Sequence, residues 1–209
     1  MAAHVGNNDI IGAAIAHLGL PLSVVADDSS FPELFEHLRR QREQWHATMI
    51  PWRNLRAIFG VLRRREILGL LVDWGYRSDG IPVKLFDAWT TLPAGPATLA
   101  AKTSSRILPA ITTRQPDGRL RVILAEPILV LSAGPADLQR ATQAIADAVA
   151  ATVRPAPEQW YSFKPIWPAT AEESADLERR AAAMQAGLPD PGPAQGLPRD
   201  EADQLEVTA

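Results

Sequence analysis

No cysteine occurs in the chain, which rules out disulfides, thiolate nucleophiles and cysteine-ligated zinc in one step. It does not fix a redox compartment. No apolar run approaches the ~20 residues that a membrane-crossing helix needs. The N-terminus shows no charged lead-in followed by an apolar stretch of signal-peptide type. Aromatics make up only 6% of the residues, and the basic cluster described below contains just Trp45, Trp52 and Phe59, so nucleic acid is the less expected partner. Only four histidines are present, and no histidine or carboxylate cluster has metal-ligand spacing, so no metal is expected.

What remains is an ordinary globular composition. The 209 residues, 46% of them hydrophobic and 22% charged, suffice for one domain with a sizeable core. The net charge of -3 conceals a division. Residues 170–209 hold nine acids and three bases, so residues 1–169 hold the other fifteen acids and eighteen bases. Eight arginines fall between Arg39 and Arg65 with a single acid, Glu43, among them. Such a cluster suits phosphate groups or an anionic lipid surface, although a solvated helix face explains it equally well.

Short apolar runs alternate with helical patterns. Strands are expected at Leu22–Ala26, Ile67–Val72, Ile107–Ile111 and Leu120–Leu124, with a weaker candidate at Ala47–Ile50. Gln115-Pro116-Asp117-Gly118 is a hairpin-type turn between the last two long runs. Helices are expected from an Asn8 cap to about Leu18, over Pro32–Trp45, over the stripe Leu55, Ile58, Phe59 and Leu62, over Pro96–Lys102, and between Pro135 and Pro155. This alternation predicts an α/β fold: a mostly parallel central sheet flanked by helices, with a late antiparallel hairpin. Residues 1–168 form the predicted domain. In residues 169–209, Thr170 and Glu173 make a capping-box pattern for a further helix, and the Pro/Gly-rich acidic stretch from Gly187 is expected to be disordered.

The segment His4-Val5-Gly6-Asn7-Asn8-Asp9 stands out. It places an imidazole at a strand end, then a turn, then a carboxylate on the first turn of a helix. A histidine held by a carboxylate is a general base for a hydroxyl or thiol, and Asp9 is expected to accept the hydrogen bond from His4. An H-x-x-x-x-D spacing is weak on its own. His17, His37 and His46 have no partner pattern and read as structural.

Several further blocks agree in order and spacing. They are Leu22-Ser23-Val24-Val25-Ala26-Asp27, Ile67 to Asp73, Gly80-Ile81-Pro82-Val83-Lys84-Leu85-Phe86, Leu92-Pro93-Ala94-Gly95-Pro96-Ala97-Thr98-Leu99-Ala100, Pro157-Glu158-Gln159-Trp160 and Trp167. Together with the histidine segment they resemble the bacterial lipid A late acyltransferases and phosphatidylinositol mannoside acyltransferases of the lysophospholipid acyltransferase superfamily. The resemblance covers roughly residues 3–168. Two departures are an asparagine at position 8, commonly aromatic in the family, and Asp87 where the family has glycine after its Phe-Phe pair. Family members also carry a further N-terminal portion, whereas only Met1-Ala2-Ala3 precede His4 here.

The resemblance implies an acyltransferase acting at the cytoplasmic face of the plasma membrane through peripheral contact. It would move a fatty acyl chain from acyl-CoA or acyl carrier protein, as co-substrate, to a hydroxyl of a glycolipid or lysophospholipid. No separate cofactor is needed. His4 and Asp9 are the implied catalytic pair. Asp27, Arg42 and Asp73 fall where the family places polar groups around the acceptor headgroup and the donor phosphates. Backbone N–H groups near Pro93 to Gly95 are candidate oxyanion donors. Bland alternatives stand beside these: helix capping or turn formation for Asp27, a simple turn for Asp73, a solvated surface arginine for Arg42, a helix start for Gly95. Trp160, Tyr161, Phe163 and Trp167 read as core or membrane-facing aromatics rather than ligand stackers. The alternative functions are a truncated, non-catalytic lipid- or partner-binding remnant and a thioester hydrolase using the same pair.

Overall fold

Three short apolar strands pair in parallel at one end of the molecule. In the computed structural model, which describes residues 1–162 and 164–197, β1 (Leu22–Ala26) lies between β2 (Ala47–Pro51) and β3 (Ile67–Gly69). Both pairings are parallel, with Leu22 opposite Ala47 and Ile67. Parallel neighbours require crossovers, and helices α2 (Pro32–Gln44) and α3 (Leu55–Arg63) supply them. Ile58 and Val61 of α3 pack with Ile50 of β2 to form a small core on one sheet face.

The sheet does not end at β3. Leu71 bridges Ala2 in parallel, with Ala2 N–H donating to Leu70 C=O (3.0 Å) and Val72 N–H to Ala2 C=O (3.2 Å). On the other flank of the N-terminal segment, Ala110 N–H donates to Met1 C=O (2.8 Å). The first residues thus run as a strand between 70–72 and 108–110. Successive side chains on a strand point to opposite faces. Ala3 and Val5 enter the main core with Val72, Val83, Ile145 and Val149, so His4 must point the other way.

The expected strand over Ile67–Val72 is found only to Gly69 as regular ladder, because its second partner changes from β1 to the N-terminal segment. The strand expected at Ile107–Ile111 is displaced to β6 (Ala110–Arg114). Pro109 has no N–H to donate, so the ladder begins after it, while Ile107 pairs separately with Ile128. β6 and β7 (Leu120–Leu124) form the expected late hairpin, with Gly118 at φ +83°.

A second hairpin, β4 (Ile81–Leu85) with β5 (Ala88–Leu92), is not foreshadowed in the sequence. Its two-residue turn is Phe86–Asp87, with φ +52° and +69°. Two left-handed residues make the turn that favours Asn-Gly, and Phe-Asp does not advertise it. Tertiary contacts hold Phe86 there: its ring lies 6.1 Å from that of Trp160, and the Arg154 guanidinium lies 5.6 Å from its ring centre.

The helices follow the sequence with small shifts. α1 spans Asn8–His17, but its cap is Asn7, whose side chain accepts from Ile10 N–H (3.0 Å). Asn8 is already helical, and its amide donates to Ala3 C=O (2.9 Å). α4 (Gly95–Thr103) starts one residue before the expected Pro96, and α5 spans Pro135–Val153. α6 (Ala171–Gln185) begins with the Thr170/Glu173 capping box and packs on α5 and the β4–β5 hairpin.

Residues 187–197, where disorder is expected from composition, fold back on α6 instead. Arg180, 1% exposed, donates to Ser78 C=O (2.7 Å), to Gly80 C=O (2.8 Å) and to both carboxylate oxygens of Asp190 (2.9 and 2.7 Å). Arg179 donates to Gly192 C=O (3.1 Å). The specific polar partners of two arginines outweigh the local composition. The rest of that tail, residues 198–209, lies outside the described residues.

Arg180→Met keeps the bulk but leaves two carbonyls and Asp190 without their donor. It is expected to destabilise the fold by about 2–4 kcal/mol, measured as a shift in the urea unfolding midpoint at constant slope.

Candidate active site

His4 and Asp73 stand at the same ends of neighbouring parallel segments, where ligands of open α/β sheets gather. His4 follows the short N-terminal strand, and Asp73 follows the strand position of Leu71. The chain then turns at Gly6, whose φ is +67° and whose missing Cβ would lie 2.9 Å from Thr112 C=O. Only glycine fits both the backbone angle and the close approach. The Pro157–Trp160 segment closes the other side: Gly6 N–H donates to Gln159 C=O (3.0 Å) and Tyr161 N–H to His4 C=O (2.8 Å).

Asp73 is 4% exposed and accepts three hydrogen bonds. His4 Nδ1 lies 2.8 Å from Oδ1, while His4 N–H and Trp160 Nε1–H each donate to Oδ2 at 2.8 Å. Burial alone would raise this carboxyl's pKa. The histidine contact and charge, with the indole and the backbone amide, outweigh that and hold it below the ordinary carboxylate range. An ionised carboxylate only accepts, so Nδ1 carries a proton against Asp73, and in the neutral form of the ring Nε2 carries the lone pair. Nε2 has no hydrogen-bond partner among the described residues, and the imidazole side chain is 25% exposed. Trp74 lies beside it, with ring centres 6.4 Å apart.

The histidine's partner is therefore Asp73, not the expected Asp9. Asp9 sits in the first turn of α1, past the Asn7 cap, and accepts from Arg42 Nε (3.0 Å) and Nη2 (2.6 Å). Arg42, largely buried, also donates toward Met49 Sδ (3.1 Å). Two of the expected residues thus form a pair of their own, across α1 and α2.

Asp27 organises the β1–α2 loop. It accepts from Ser29 N–H (2.8 Å), from Ser29 Oγ (2.7 Å) and from Ser30 N–H and Oγ. Burial pushes its pKa up, but the Ser30 and Ser29 hydrogen bonds prevail and hold it at about 2. Gly95 opens α4, and the space where its Cβ would be is empty of neighbours. A groove of about 400 Å³ lies elsewhere, toward the opposite strand ends beside Leu22, Thr48 and Val61. His4 does not line it, and a groove at the strand ends opposite the His4–Asp73 pair does not mark the chemistry.

Trp160, which the sequence assigns to core or membrane packing, belongs to the Asp73 cluster. Its ring does pack, edge-on to Trp167 at 6.3 Å, but its N–H serves Asp73. The Pro-Glu-Gln-Trp block was the available signal. Trp167 donates to Leu85 C=O (3.3 Å), and Phe163 lies outside the described residues. Among the described residues, no three imidazoles or carboxylates converge as metal ligands.

Comparison with known proteins gives this arrangement a class. The model of the bacterial lipid A biosynthesis acyltransferase family matches residues 1–168, and the chain belongs to that family. Among curated relatives, the phosphatidylinositol mannoside acyltransferase of Mycolicibacterium smegmatis is 30% identical over 184 residues, 85% of this chain and 58% of the relative. That of Mycobacterium tuberculosis is 28% identical over 183 residues, covering 85% and 57%. The chain thus spans less than two thirds of the length of these relatives.

Two outcomes are expected for the Asp73 cluster. Trp160→Phe keeps the ring and removes the donor, and should cost about 1–3 kcal/mol in chemical denaturation. The depressed Asp73 pKa adds stability above the ordinary carboxylate pKa of about 4, and that part is lost as pH falls through the folded value. The stability gap between wild type and Asp73→Asn should accordingly shrink on acidification; a gap constant with pH would show that Asp73 is not held ionised by the fold.

Proposed function

We propose that the chain carries the catalytic centre of a lipid O-acyltransferase, with His4 as general base and Asp73 as the carboxylate that orients it. The observation that carries this reading is the free Nε2 lone pair on an imidazole whose Nδ1–H is fixed by a buried carboxylate, in a chain of an acyltransferase family.

The chemistry follows from the geometry. An acceptor hydroxyl is too weak an acid to attack a thioester unaided. His4 Nε2 takes its proton as the oxygen bonds to the acyl carbonyl carbon, and Asp73 supports the imidazolium that forms. Collapse of the tetrahedral intermediate breaks the C–S bond, and the imidazolium proton passes to the departing thiolate, so no net proton is gained or lost. Backbone N–H groups near Gly95 are the proposed oxyanion donors; its open surroundings leave them accessible. Asp9 acts through Arg42, fixing a guanidinium with the right shape for a phosphate. Asp27 shapes the loop that borders the acceptor headgroup.

The donor is acyl-CoA or acyl carrier protein. The acceptor is a membrane glycolipid, and the relatives' names point to a mannosylated phosphatidylinositol. Contact with the membrane is peripheral, at its cytoplasmic face; no helix among the described residues is long and apolar enough to cross a bilayer.

His4→Ala is expected to lower acyl transfer by roughly 10²–10⁴-fold without changing the circular dichroism spectrum. The assay follows radiolabelled palmitate moving to extracted mannosylated phosphatidylinositol. Equal transfer by the variant would refute the base assignment, and release of free palmitate without acceptor would mark a hydrolase. Asp9→Ala and Arg42→Ala should be non-additive in the same assay, because either change dissolves one pair.

A further inference from the structure

Four loops share one edge of the sheet. In the parallel register Ala26 stands opposite Pro51, and Trp52 N–H donates to Ala26 C=O (3.0 Å). The β2–α3 loop therefore leaves beside the β1–α2 loop. On the other side of β1, the β3 line ends at Asp73–Trp74, and the N-terminal segment ends at His4. These are all strand C-terminal ends.

That edge carries side chains a soluble surface normally avoids in a group. Trp52 is 44% exposed, Leu55 59%, Phe31 67% and Trp74 49%. The strand lines that lead to Trp52 and to Trp74 are two spacings apart in the sheet, ~10 Å. Each indole has a cation over its face: the Arg53 guanidinium 4.8 Å from the Trp52 ring centre, and the Lys164 ammonium 4.8 Å from that of Trp74. Arg56 is exposed one residue beyond Leu55. No salt bridge engages Arg53, Arg56 or Lys164 among the described residues. The Asp27 charge at the same edge is taken up by Ser29 and Ser30.

We infer that this edge is the membrane-docking face, with Trp52, Leu55 and Phe31 entering an anionic bilayer surface and Arg53 and Arg56 pairing with its lipid phosphates. Indoles with an adjacent cation suit the headgroup layer, where one end is apolar and the other wet. A soluble anionic partner would use the arginines but would leave the exposed Phe31 and Leu55 unexplained. Docking by this edge also brings the His4 imidazole to the lipid surface, where an acceptor headgroup is found. The inference rests on the acyltransferase reading for its purpose, but its test does not.

The purified chain is floated with vesicles of phosphatidylcholine containing about one-third phosphatidylglycerol, and separately with pure phosphatidylcholine vesicles. Binding is expected to the anionic vesicles and to weaken as salt rises. Arg53→Ala with Arg56→Ala should weaken it about twenty-fivefold, since each cation near an anionic surface contributes a factor of about five. Trp52→Ser with Leu55→Ser should abolish it, while circular dichroism stays that of the wild type. Unchanged binding by both double variants would overturn the assignment, as would a concentration-dependent dimer that these changes dissociate without any vesicle binding. His4→Ala should float like wild type; if it also transferred acyl groups like wild type, the catalytic reading would fail and the docking face would stand.

Discussion

The Asp73 carboxylate joins segments that are far apart in the chain. Its three donors come from residues 69 and 87 positions away, the His4 amide, the His4 ring and the Trp160 indole. A buried carboxylate without such donors would protonate. With them it stays ionised and fixes the imidazole tautomer. The backbone bonds around it follow the same route: residues 1–3 against 70–72, and residues 4–6 against 159–161. The same segment that supplies Ala3 and Val5 to the core therefore supplies His4 to the surface, because strand side chains alternate. Core packing on one face and a part-exposed imidazole on the other are two consequences of one strand.

The parts of the fold that were legible in the sequence are those with local causes. β1 runs over the expected Leu22–Ala26, and α6 starts at the expected Thr170 box. The unread parts have non-local causes. The Phe86–Asp87 turn is held by Trp160 and Arg154, not by turn chemistry. Arg180 and Asp190 order a stretch whose composition alone suggests disorder. The site shows the same contrast. His4 was marked by its own segment, but proximity in sequence favoured Asp9 as partner, and only sheet pairing brings Asp73 to it. Asp73 was among the candidates because it ends a strand; its bond to the histidine depends on Leu71 lying beside Ala2.

The arginine cluster divides once the structure is known. Arg39 pairs with Glu36 and Glu43, Arg64 with Glu66, and Arg42 with Asp9. The Arg39 pairs lie within α2 and are exposed, so they contribute little to stability, whereas the Arg42–Asp9 pair ties α2 to α1. The solvated-helix-face reading of the sequence fits Arg39 and Arg40, which pair with acids of their own helix. Among the described residues Arg53 and Arg56 have no such acid, and they flank Trp52 and Leu55 where the parallel strands end.

That location has a geometric cause. In a parallel sheet all connections leaving strand C-termini emerge on one edge, so whatever the loops carry is concentrated there. Asp27, Trp52, Asp73 and the end of the N-terminal strand at His4 occupy that edge because β2, β1, β3 and residues 1–3 run the same way. An antiparallel arrangement would have sent alternate loops to the opposite side and separated the imidazole from the exposed indoles. The strand direction, fixed by the helical crossovers α2 and α3, is thus what allows one edge to hold both the His4 imidazole and the exposed indoles. The proposed lipid substrate, half headgroup and half hydrocarbon, would need both on the same side of the molecule.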